Sequence, residues 1–224
     1  MKRFSILLFF LLFSSFLPCI AQDNGTDSLK LALKKQNEDT TKVNLLNQIT
    51  TITIQSEDAF IYGNQAVKLA TKLNFSKGKA LGLKNLGLYY FIKSDFIPAE
   101  EYWREALEEY TVIHDESGRA NMLNNLGSIK YNMGNLSQAM EFFFQSLEVS
   151  QKAGDTLRIV TALNNIGLVY MAKPNTYDLA IEYLNKGLLL ATLINDKANM
   201  GSSYVNLGEV NFEQGKDSAA LYNF

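Results

Sequence analysis

The chain has 224 residues, a formal net charge of −2 and no long basic run, which excludes an extended phosphate-binding footprint for nucleic acid. Hydrophobic residues make up 47% of it, enough for a buried core and too many for a disordered chain. One cysteine and one histidine rule out a disulfide framework and a cysteine- or histidine-rich metal set, and no cofactor or enzymatic site is expected.

In chain order, Lys2-Arg3 precede an apolar stretch from Phe4 to Phe13, then Ser14-Ser15-Phe16-Leu17 and the small-residue end Cys19-Ile20-Ala21. That is the order of a secretory signal peptide over residues 1–21, with cleavage after Ala21 and export to the periplasm or cell envelope. The apolar part is shorter than the ~20 residues of a membrane-spanning helix. A lipid on Cys19 is the competing reading, but Leu17-Pro18 lack the small residues such a site usually carries. The mature chain would hold no cysteine, and loss of Lys2 and Arg3 would take its charge from −2 to −4. Residues 22–40 read as a lead-in and a helix: Gln22 to Thr26, with Asn24-Gly25, is polar and flexible in expectation, and Asp27-Ser28 opens a helix over Leu29 to Gln36.

Residues 41–224 carry an internal repeat. Asn85-Leu86-Gly87, Asn125-Leu126-Gly127, Asn165-Ile166-Gly167 and Asn206-Leu207-Gly208 place their glycines 40, 40 and 41 residues apart. Such a period belongs to stacked arrays. The spacing predicts helix pairs at about 78–94 with 96–113, 117–133 with 136–153, 156–173 with 177–194, and 198–214 with 217 onward. An atypical opening unit pairs Thr41–Gln55 with Asp58–Leu73; it has Asn47 in place of glycine and a locally strand-favouring Thr50-Thr51-Ile52-Thr53-Ile54. Gly134-Asn135, Gly154-Asp155, Pro174-Asn175 and Gly215-Lys216 break the joints, and Asp95 and Asp155 are expected N-caps. Each mid-helix glycine is expected to let its helix approach an alanine of the partner, as Gly87 would approach Ala99 and Ala106 around Trp103.

This pattern, leucine-glycine then tyrosine in one helix and alanine, aromatic, alanine in the next, resembles the tetratricopeptide repeat (TPR) over about residues 41–224. The resemblance implies an all-α fold, a right-handed TPR superhelical solenoid of antiparallel helix pairs with a ~40-residue period. It implies about five units, the last incomplete. Departures are Lys130 and Asn211 at the tyrosine, with Tyr131 and Phe212 one residue later, and Ser146 and Gly187 at the last alanine. The export signal, the Asp39-Thr40-Thr41-Lys42-Val43-Asn44-Leu45-Leu46 segment and the Leu-Asn-Asn-Leu-Gly phrases are also similar to the sensory regions of Bacteroidetes-type receptors. In those, a membrane helix and a histidine kinase, cyclase or DNA-binding output domain follow, so a truncated receptor is the alternative to a free scaffold.

His114, in Ile113-His114-Asp115-Glu116, reads as a solvated helix-end residue; Phe143 of Phe142-Phe143-Phe144 is expected in the core, with Phe142 or Phe144 partly packed between units. The asparagine two before each glycine points about 150° from the centre of the core face. Stacking would line it up on the concave wall with residues six before, one after and five after. The stripe then reads Leu81, Asn85, Leu88, Ile92; Asn121, Asn125, Ser128, Asn132; Thr161, Asn165, Leu168, Ala172; and Ser202, Asn206, Glu209, Glu213. Two roles fit the ladder Asn85, Asn125, Asn165, Asn206: pairing with the main chain of an extended peptide or protein segment, or bonds between helices that hold the stack. No Lys or Arg falls on the stripe, and Glu209 and Glu213 favour a ligand with a basic end.

Overall fold

The computed structural model describes residues 19–223, with side chains from Gly25 onward; residues 1–18 of the expected leader lie outside them. The described residues form α1 (Cys19–Lys35), α2 (Thr40–Ile52), α3 (Glu57–Lys72), α4 (Ser76–Ile92), α5 (Phe96–Val112), α6 (Glu116–Asn132), α7 (Leu136–Ala153), α8 (Thr156–Met171), α9 (Tyr177–Leu193), α10 (Lys197–Glu213) and α11 (Asp217–Asn223), with no strand among them. Consecutive helices pack antiparallel into a right-handed solenoid. The even-numbered helices line one wall and the odd-numbered ones from α3 onward the other. Gln22 to Thr26, expected as a flexible lead-in, is helical and continues into the segment that packs on α2.

The joints repeat one chemistry. Six of the helix-to-helix turns pass through a single left-handed residue, Asn74, His114, Gly134, Gly154, Asn195 or Gly215, and Ser94 makes a seventh. The residue after each donates its amide to a carbonyl five back, as Asp115 does to Tyr110 at 2.9 Å, which closes the helix in a Schellman motif. His114 is thus a turn residue with φ 55°, standing where Gly154 stands one unit later. The joint between α8 and α9 departs from this: the extra residue of that unit is absorbed by a 3₁₀ turn, Pro174–Thr176.

Helix starts follow an equally simple rule. Asp39, Asp115, Asn135, Asp155 and Asp196 each accept from the backbone N–H three residues on. Asp95 occupies the same position before α5 but makes no capping bond. The residue three on is Pro98, which has no N–H to give.

Each pair closes where a large side chain of the second helix sits on the glycine of the first. A methyl added at Gly87 would lie 2.3 Å from the Trp103 ring, at Gly127 2.6 Å from Phe143, and at Gly167 2.7 Å from Leu184. The expected alanine is therefore not the main partner; the glycine makes room for a ring or a leucine. Trp103 is fully buried and donates its indole N–H to the Lys84 carbonyl at 3.0 Å. Phe143 is buried too, with Phe142 half-buried and Phe144 on the rim. In the opening unit the two roles change places: Asn47 stands at the glycine position and Gly63 at the aromatic one. Leu86 of α4 fills the space over Gly63, and Asn47 donates to the Gly78 carbonyl at 2.9 Å. Thr50, Thr51 and Thr53 return their hydroxyls to carbonyls four back, so their strand preference is overridden.

Along the inner wall α2 packs on α4, α6 on α8 and α8 on α10, whereas α4 and α6 barely meet. The residue five before the glycine explains this: Gly82, Ala162 and Ser203 are small, and Met122, wholly buried, is not. Stacked tyrosines reinforce two units, Tyr90 on Tyr102 at 5.6 Å and Tyr170 on Tyr183 at 5.5 Å. Where Lys130 replaces the tyrosine, its ammonium bonds Glu100 at 2.6 Å. Burial works against the charge of Glu100, but Lys130 and Arg104 together hold its carboxyl below the usual range.

Two outcomes follow from these contacts. Alanine in a helix gains up to ~1 kcal/mol over glycine, and overpacking a core costs ~1–3 kcal/mol. Gly87→Ala, against an indole pinned by its own hydrogen bond, is expected to lower the melting temperature, while Gly167→Ala, against a rotatable leucine, is expected to change it least. Thermal unfolding followed by circular dichroism ranks them, and the reverse order would refute the seating of Trp103. His114→Gly is expected to stabilise the chain by roughly 1 kcal/mol through relief of the left-handed conformation. A lower melting temperature for that variant would show that the imidazole has a role beyond the turn.

Candidate functional site

The inner wall is built from one face of each even-numbered helix, and its residues differ sharply in how open they are. Asn85 is 3% exposed: its amide donates to the Asn47 carbonyl at 3.4 Å and to Thr51 Oγ1 at 3.1 Å, closing the joint between α2 and α4. Asn165 is half-buried and donates to Asn124 Oδ1 at 2.8 Å. Asn125 and Asn206 are half-buried as well, and no hydrogen bond among the described residues ties either amide. Asn121 is half-buried; Ser128 and Asn132 bond back to carbonyls of their own helix, at Asn124 and Ser128. Glu209 and Glu213 are exposed. The four-rung ladder thus divides: one rung is sealed in a joint, one is shared with a neighbouring helix, and two offer unbonded amides to the groove.

The asparagine three before the glycine is the stronger connector. Asn124 and Asn164 are buried. Asn164 accepts from Ser203 Oγ at 2.8 Å, and Gly187 across from it leaves the space: a methyl there would lie 2.5 Å from Asn164 Oδ1. The matching position on α7 is Ser146, which donates to the Ala120 carbonyl at 2.8 Å. Of the two departures from alanine, Ser146 makes an inter-helix hydrogen bond itself, and Gly187 leaves room for the Asn164 side chain. Their signal in the sequence was the doubling of asparagine in Leu-Asn-Asn-Leu-Gly and Leu-Asn-Asn-Ile-Gly.

Between α6, α8 and α10 the inner wall opens into a cavity of about 650 Å³. Leu168 and Met171 of α8 and Ala172 at its C-terminal cap line it, together with Tyr131, Tyr177 and Phe212. Glu209 and Glu213 reach it from α10. Leu168, Ala172 and both glutamates belong to the stripe derived from helical geometry; Tyr131, Met171 and Phe212 do not. These three lie four after the glycine, one residue from the stripe position five after it. Burial raises the pKa of the Tyr131 hydroxyl, and the charge of Glu209 adds to the effect. Phe212 is 63% exposed, an unusual state for a large ring on an inner face.

On the opposite wall a smaller cavity of about 440 Å³ lies between α7 and α9, with Leu147, Leu163, Leu189 and Leu190 in its lining. Lys186 at its edge is tied to Glu182 at 2.6 Å. Among the described residues no group of three or more His, Cys, Asp or Glu could hold a metal ion, and no helix is long and apolar enough to cross a membrane.

The fold and its inner groove define the class: a TPR-like helical-repeat solenoid. Residues 78–152, the pairs α4–α5 and α6–α7, match the tetratricopeptide repeat family. No curated protein sequence matches the chain. Among solved structures it is similar to BtubC from P. vanneervenii, at 16% identity and a TM-score of 0.70, over 91% of this chain and 85% of that one. A Rap protein complexed with Competence and Sporulation Factor aligns at 16% identity and a TM-score of 0.72, over 91% of this chain and 69% of that one. A STAND signal-transduction ATPase with a tetratricopeptide repeat sensor, from Pyrococcus horikoshii, aligns at 16% identity and 0.71, over 91% of this chain but 35% of that one. At these identities the likeness is one of fold.

The two asparagine positions are separable by stability. Asn164→Ala removes a buried acceptor and is expected to cost ~1–3 kcal/mol, whereas Asn125→Ala is expected to stay within about 0.5 kcal/mol of the parent. Equal losses in thermal unfolding would contradict the division of the ladder.

Proposed function

We propose that the chain is a non-catalytic scaffold that binds a peptide or protein segment in extended form along the concave groove. The observation that carries the reading is that one wall holds both the unbonded amides of Asn125 and Asn206 and, apart from them, the open cavity between α6, α8 and α10. A main chain laid there would find both donors and acceptors beside apolar walls, which is what recognition of an extended backbone requires. The Rap protein of similar fold, solved with Competence and Sporulation Factor, supports this use of such a solenoid.

The secretory pattern over residues 1–21 supports a place for the scaffold in the periplasm or cell envelope. N-terminal sequencing of protein recovered from a periplasmic extract would find Gln22 first; an intact Met1 in the cytoplasmic fraction would refute export.

A second reading puts the same groove to use as the sensory region of a membrane receptor whose output is a histidine kinase, a cyclase or a DNA-binding domain. The export pattern joined to 40-residue repeats favours it, and the fold shared with a repeat-type sensor is consistent with it. Both readings need a ligand in the groove. Random dodecapeptides displayed on phage and selected on the immobilised chain test that need. The Asn125→Ala/Asn206→Ala variant is expected to bind a selected peptide about tenfold more weakly or worse, with an unchanged melting temperature. Undiminished binding would remove the amides from the account, and failure to select any peptide would overturn the groove itself.

A further inference from the structure

We infer that the cavity between α6, α8 and α10 is a side-chain pocket for a lysine or arginine of the bound segment. The inference rests on the peptide-binding reading above and names what one part of that groove selects.

Glu209 and Glu213 lie four residues apart on α10, so they share one face one helical turn from each other. Like charges at that spacing destabilise a helix unless a cation sits between them. Nine ion pairs occur among the described residues, and neither glutamate is in any of them. Some surface acids are neutralised locally, Glu100 by Arg104 and Lys130, Glu148 by Lys152 and Glu182 by Lys186, while Glu101, Glu105 and Glu108 of α5 are in no ion pair either; what distinguishes Glu209 and Glu213 is that they line a cavity. The two that line the groove are left without a partner.

The rest of the pocket has the complementary shape. A lysine or arginine carries a flexible apolar stem and a charged head, and buries the first while keeping the second hydrated or paired. Leu168 and Met171 add apolar lining for the stem. Tyr131 and Phe212 add aromatic rings to the lining, and an aromatic ring attracts a cation. An acidic or purely apolar side chain would gain one of these contacts and be repelled or left unpaired by the other.

The groove also has a direction. At its α4 end the stripe is apolar and open, with Leu88 36% and Ile92 45% exposed. A segment that runs along the wall would place apolar residues over α4 and its basic residue over α10.

Phage-displayed random dodecapeptides selected on the full chain, followed by fluorescence polarisation of one synthetic winner, test the pocket. Wild type is expected to enrich a lysine or arginine at one position, with apolar residues towards one side of it. Glu209→Gln/Glu213→Gln is expected to bind that peptide about tenfold more weakly at low salt. Changing the basic residue of the peptide to alanine should cost the wild type as much and the variant little. Peptides selected without a shared basic residue, or bound equally by the variant, would overturn this pocket and leave the groove reading standing. No selected peptide at all would overturn both.

Discussion

Everything in this molecule depends on a helix without a side chain at one point. Gly87, Gly127 and Gly167 each leave a hole in the first helix of a pair, and Trp103, Phe143 and Leu184 fill it from the second. A residue with even one methyl group at those positions must displace the filling side chain or move the helix. The cost of glycine in a helix interior, up to ~1 kcal/mol, is offset by burying a whole ring. Because the seat recurs every 40 or 41 residues, each pair has nearly the same geometry, and nearly identical pairs in sequence can only stack.

Stacking has its own determinant, one turn away from the seat. Gly82, Ala162 and Ser203 bring successive inner helices together, and the buried amides of Asn85, Asn124 and Asn164 bond across the joints so formed. Met122 holds α4 and α6 apart, and that joint relies instead on α5, whose Trp103 and Tyr110 share one core with Met122, Leu126 and Ile129. Burial, with the charge of Asp115 adding to it, pushes the Tyr110 hydroxyl up to about 12, so it is neutral in that core around neutral pH. What the joints leave uncommitted faces the groove: two amides, a set of rings and two carboxylates.

The helices of the repeat array were legible in the sequence because period, glycine and turn residues all agree, and from α2 onward the structure places their ends within about three residues of the expected ones; α1 begins ten residues before its expected start. Less legible was what each small residue was small for. The repeat shows that Gly87 is needed, but not that an indole rather than an alanine sits on it, because that depends on the crossing of two helices. Asp95 looked like a cap until the residue three further on was considered; Pro98 removes the amide it would have held. For the groove, a helical wheel treats every position of an isolated helix alike, so it aligned Asn85 with Asn125. The close approach allowed by Gly82 buries the first and not the second. Tyr131, Met171 and Phe212 lie outside the stripe that a single helix defines, because the lining of a cavity between three helices depends on how those helices are placed.

The central functional claim is one of place: ligands bind the inner wall near α10 and not the outer groove between α7 and α9. A selected peptide carrying a benzophenone group, irradiated on the chain and mapped by mass spectrometry, tests it most directly. The account predicts label on Met171, Tyr131 or Phe212. Label on Leu147, Leu189 or Leu190, on the opposite wall, would contradict it.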